Sequence, residues 1–98
     1  MVIRALDHVP HCYNAADGAV INALLRKHLS KGAAIKLSFD GVSDVPSSFV
    51  NAAIVALLTQ YNEHFIKTHL TVIDATGQIG GMIRRCMANG ARRYANTQ

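Results

Sequence analysis

The stretch Ile35–Tyr61, IKLSFDGVSDVPSSFVNAAIVALLTQY, decides the fold. Ile35, Leu37 and Phe39 alternate with Lys36, Ser38 and Asp40, the period-two pattern of a strand with one buried face. Turn residues from Gly41 to Pro46 break that pattern, and Pro46 disfavours helix at Val45 before it. Ser47 or Ser48 can then cap a helix. From Phe49 onward, Phe49, Ala53, Leu57, Tyr61 and Phe65 recur every fourth residue, which predicts one helix closing near His64. A strand thus delivers two serine hydroxyls to the mouth of a helix.

Working outward, Val2–Ala5 reads as a short first strand and Asp7–Tyr13 as a loop around Pro10. Asn14 followed by Asp17 marks a helix start, and Gly32 marks its end. Between them Val20, Leu24 and His28, with Ile21, Leu25 and Leu29 beside them, form an apolar stripe. Beyond the central helix, His69–Ala75 is a β-branched third strand, and a last helix comes after TGQIGG at 76–81. Gly90 weakens the final turn of that helix. Short connections between alternating strands and helices predict an α/β fold with a small, mostly parallel or mixed sheet. Lys36, Ser38 and Asp40 on one strand face require that face to be wet, so the helices lie mainly on the other.

The chain has 98 residues, half of them hydrophobic and 16% charged, which fits one folded domain over 1–98 rather than a disordered segment. No apolar run approaches the roughly 20 residues of a membrane span, and MVIRALDHVPH lacks the apolar segment of a signal peptide. With only Cys12 and Cys86 and no CxxC pair, the expected setting is reducing and cytoplasmic. The net charge of +4 is skewed: Asp74 is the last acidic residue, and Arg84, Arg85, Arg92 and Arg93 come after it. That basic segment is an alternative nucleic-acid surface, although no aromatic platform accompanies it and the macrodipole alone accounts for Arg92 and Arg93.

Chemistry-bearing residues are sparse. Ser47 and Ser48 stand where backbone N–H groups and the helix dipole favour negative charge, so both are phosphorylation candidates. Asp44, Pro46, Ser47, Ser48, Phe49 and Asn51 form the expected partner-binding surface. The helix is apolar nearly all round between Phe49 and Leu58, which fits either a wedge between sheet and helices or a docking patch. Gly77, Gly80 and Gly81 of TGQIGG are an alternative anion-binding turn, for a small ligand or nucleotide, but the spacing is not GxGxxG. Asp7, His8, His11 and Cys12 have metal-binding side chains without a second ligand cluster, and Cys12 with a histidine would be a bare nucleophilic pair. No metal, cofactor or catalytic residue is expected.

The segment KLSFDGVSDVPSSFVNAAIVALL, preceded by a helix that starts with Asp17-Gly18 and ends in LSKG, resembles the uncharacterised STAS-like domain family of bacteria and phages. Its specific part runs from Leu37 to Ala53; from about Asn14 to the last helix the match is in pattern. That family is similar to the STAS fold of anti-sigma-factor antagonists. The resemblance implies a regulatory module whose partner is an anti-sigma factor, a serine kinase of the histidine-kinase-like ATPase class, with Ser47 at the phosphoacceptor position. The antagonists carry Asp-Ser-Ser-Gly at the junction. Here Pro46 replaces the acid and Phe49 the glycine, so the implied kinase recognition rests on the serine pair alone.

Overall fold

The computed structural model describes residues 1–95. Strand β1 (Val2–Arg4), helix α1 (Ala15–Leu29), strand β2 (Ile35–Ser38), helices α2 (Ser47–Ala53) and α3 (Glu63–His69), strand β3 (Leu70–Ile73) and helix α4 (Gly77–Ala95) succeed one another along the chain. The three strands are parallel, in the order β1-β2-β3, with Ile3, Leu37 and Val72 in one row of the register. Ile3, Ile35, Leu37 and Leu70 are buried, while Val2, Lys36 and Thr71 on the opposite side are exposed. The helices therefore cover one face, as the polar residues of β2 require. Ser38 is the exception on the open face. It is buried, donates to Asp74 Oδ2 at 2.7 Å and accepts from the Asp40 amide. Asp74 itself has φ +56°, a left-handed turn that leaves β3.

Helix α1 starts as its sequence dictates: the Asn14 side chain accepts from the Asp17 amide at 2.8 Å. It ends at Leu29, and the chain turns away at Gly32, whose φ of +75° suits a residue without Cβ. Its Ile21, Leu25 and Leu29 are buried, and its contact with α2 is intimate. A Cβ at Gly18 would stand 2.6 Å from the Phe49 carbonyl oxygen and 2.8 Å from Ala52 Cβ, so the two helices meet backbone against backbone.

The continuous helix predicted from Phe49 to near His64 is not formed. Helix α2 stops at Ala53, a 3-10 segment covers Val55–Thr59, and α3 starts afresh at Asn62, whose side chain accepts from the Phe65 amide at 2.7 Å. Partners from α1 take the carbonyls at the break: Asn22 Nδ2 donates to Ala53 O at 3.0 Å, and Arg26 Nη2 donates to Ala56 O at 2.8 Å. Arg26 also bonds Asn22, Thr59 and Gln60. A carbonyl satisfied from outside no longer needs an amide one turn onward, so the chain can bend there. The all-round apolar character of 49–58 is then explained: Phe49, Val50, Ala53, Ile54, Val55 and Leu57 are all core. The third strand is shorter than 69–75, because His69 closes α3 and Asp74 turns away. Gly90 does not loosen α4; it is buried where a Cβ would collide with Val55.

Two glycine substitutions should move stability in opposite directions. Gly18→Ala is expected to lower it by about 1–3 kcal/mol, because overpacking outweighs better helix propensity. Gly81→Ala, within α4 with no atom in reach of the new methyl, is expected to raise it by up to about 1 kcal/mol. Urea unfolding of the two variants beside the wild type checks both signs.

Candidate functional site

The serine junction is built from both ends. Val45 is a buried anchor, and the Gln78 side chain grips its backbone twice. Oε1 accepts from the Val45 amide at 2.9 Å, and Nε2 donates to the Val45 carbonyl at 3.0 Å. The Thr76 hydroxyl donates to the Ser43 carbonyl at 2.8 Å and accepts from the Ile79 amide at 3.3 Å. One short stretch, Thr76–Gln78, thus starts α4 and fixes the loop that enters α2. Behind the junction, Phe39 and Phe49 meet edge to face, with centroids 6.2 Å apart.

Ser47 and Ser48 occupy the first two positions of α2, and both are exposed. Neither is the cap. Pro46 holds that place with extended φ and ψ of −82° and 164°, and no side chain caps the helix. Among the described residues neither hydroxyl has a hydrogen-bond partner. No acidic residue lies in the first turn of α2, so negative charge placed there meets the helix dipole without a carboxylate beside it in that turn. Asp44, Pro46 and Asn51 are exposed around the serines.

Phe49 departs from the expected surface. It is fully buried, so its ring can neither touch a partner nor crowd one. On a helix, adjacent side chains diverge by about 100°, so exposed serines at 47 and 48 and an inward Phe49 go together. The surface beside the serines is consequently polar: the apolar side of α2 faces α1 and the core.

At the TGQIGG turn the structure brings together Gly77 and Gly80 with Arg84, along a cleft of about 390 Å³, while Gly81 lies outside its lining. The glycines begin α4, but Thr76 already caps its first turn. Arg84, which the sequence marks only as one of four arginines of the basic last segment, is the charged side chain at this cleft.

The loop residues do not assemble. Asp7 pairs with Arg4 at 3.0 Å, a contact that together with Asp40 raises the Arg4 pKa. His11 Nδ1 lies 2.7 Å from Asp17 Oδ2, and its ring stacks on Tyr13. Cys12 is buried, and desolvation, with the Asp17 carboxylate adding, pushes its thiol up to about 11. A thiol this deeply buried has little access to a substrate and little thiolate, which counts against the Cys12–histidine pair. Among the described residues no three His, Cys, Asp or Glu side chains gather as a metal site. Arg84, Arg85, Arg92 and Arg93 are exposed on α4, and no described helix is long and apolar enough to cross a membrane.

In comparison with known families, the profile of the STAS-like domain of unknown function (DUF4325) matches residues 17–79. The matched span runs from the first turn of α1 to the first turn of α4, and it contains the serine junction and both residues that clamp it. Neither the curated proteins nor the solved structures give a match.

Burial of Cys12 has a pH signature. The unfolded thiol ionises near its ordinary value of 9.0, before the folded one near 11. Its contribution to stability is therefore complete below pH 9 and declines as pH rises through that window. In Cys12→Ala, urea midpoints measured from pH 8 to 11 should fall less steeply than in the wild type.

Proposed function

The chain belongs to the STAS-like domain family, and from that premise we propose that it is a non-enzymatic regulatory module. It binds a partner protein through the strand–loop–helix junction, and phosphorylation of Ser47 switches that contact. The observation that carries this reading is a pair of exposed, unbonded hydroxyls at the start of a helix whose entry loop is clamped by Gln78 and Thr76. The contact surface is Asp44, Pro46, Ser47, Ser48 and Asn51, without Phe49. By its likeness to anti-sigma-factor antagonists the partner is a serine kinase of the histidine-kinase-like ATPase class, met in the cytoplasm.

The switch acts by charge at the surface and not by unfolding. A phosphate adds about −1.5 to −2 charges and three strong acceptors. At the first turn of α2 that charge meets free amides and the positive end of the dipole, so the domain tolerates it. A partner that docks on neutral hydroxyls loses those contacts and meets repulsion from any carboxylate of its own. Gln78 and Thr76 fix the junction beforehand, so little ordering entropy opposes docking.

Ser47→Glu should leave the melting temperature within about 2 °C of the wild type, as expected for an exposed position. It should weaken capture of the ATPase from the host lysate at least tenfold, while Ser47→Ala retains it. Equal capture by both variants removes the switch. Intact mass of the protein from its own host should show a phosphorylated fraction that Ser47→Ala lacks.

A further inference from the structure

A groove between α3 and α4 runs along the inner side of edge strand β3. Its volume is about 440 Å³, within the range of small-molecule sites. The floor and walls are aliphatic, made by Ile54, Ile66, Leu70, Val72, Ile83 and Met87. Three charged side chains edge it: Glu63, Lys67 and Arg84. Lys67 Nζ lies 3.2 Å from Glu63 Oε1, so those two cancel. Arg84 has no hydrogen bond or ion pair among the described residues. It also lines the smaller, more polar cleft at Gly77 and Gly80, which shares Val72 and Ile83 with the groove. The two spaces adjoin at Val72, Ile83 and Arg84 and make a trough that is apolar in its larger part and carries one unpaired positive charge where the parts meet.

We propose that this trough binds a medium-chain alkyl carboxylate, with the hydrocarbon tail against Val72, Ile83 and Ala88 above the buried floor of Ile66, Leu70 and Met87, and the carboxylate at the Arg84 guanidinium. The wall chemistry selects the tail. A nucleotide or sugar laid in the groove would leave ring and ribose polar atoms without partners, whereas a hydrocarbon chain leaves none. The planar guanidinium fork selects the head, since it pairs a carboxylate with two parallel hydrogen bonds. This site is separate from the serine junction and does not depend on any role of that junction.

Titration calorimetry with decanoate, below its micelle-forming concentration, tests the assignment against 1-decanol and decyltrimethylammonium. Decanoate should bind tightest. Arg84→Gln should weaken decanoate about fivefold or more while shifting decanol less than twofold. Ala88→Trp, at an exposed position that lines the groove, should abolish uptake of decanoate and decanol while leaving the melting temperature close to that of the wild type. The proposal is overturned if decanoate does not bind, if decanol or the cation matches it, or if binding survives Ala88→Trp. It is equally overturned if the chain self-associates through this groove, with Ala88→Trp dispersing the dimer and no decanoate taken up.

Discussion

The close approach of α1 and α2 at Gly18 is the constraint on which the rest depends. With no side chain at Gly18, the Phe49 carbonyl and the Ala52 methyl come into near contact with the α1 backbone. That proximity lets Asn22 and Arg26, one and two turns further along α1, reach the carbonyls of Ala53 and Ala56. Those bonds end α2 after seven residues and set its direction. With the C-terminal end held by α1 and the N-terminal entry held by Gln78, the rotation of α2 about its axis is fixed. Phe49, Val50 and Ala53 then face inward, and Ser47 and Ser48 face outward. The display of the serines is a consequence of helix packing two turns away.

What the sequence makes legible is what local chemistry controls. The alternation over Ile35–Phe39 and the Asn14–Asp17 start of α1 are each written within a few residues. The family resemblance is legible too, because its specific residues lie in that same central segment. The break in the long apolar helix is not, since a spacing of four persists across the 3-10 segment. The bonds that enforce the break come from Asn22 and Arg26, some 30 residues away in sequence. A local hint does exist: Asn62 before Glu63 is a helix-start signal inside the apparently continuous stretch.

The inward turn of Phe49 has a related origin. Proximity in sequence to the serines is not proximity on the surface, because consecutive positions of a helix point in different directions. The position expected of a capping serine is taken by Pro46, which has no side-chain acceptor, and both hydroxyls are left uncommitted. The alkyl trough is invisible to any reading along the chain. Its wall draws on α3, β3, α4 and the residue after α2, and only the fold sets Arg84 apart from the other arginines of the last segment, beside Val72 and Ile83. Of the two explanations for the apolar residues at 49–58, the wedge between sheet and helices is the one the burial supports.

Thiol labelling tests the central claim most directly, because the chain carries its own buried references. Cys12 and Cys86 are both free and buried. Cysteines introduced singly as Ser47→Cys and Ser48→Cys should react with a maleimide in the native protein at close to the rate of an unstructured thiol, while the two native cysteines wait for unfolding. Protection of both introduced thiols to the level of Cys12 would show that the pair faces inward, and would contradict the outward display that the packing of α2 imposes.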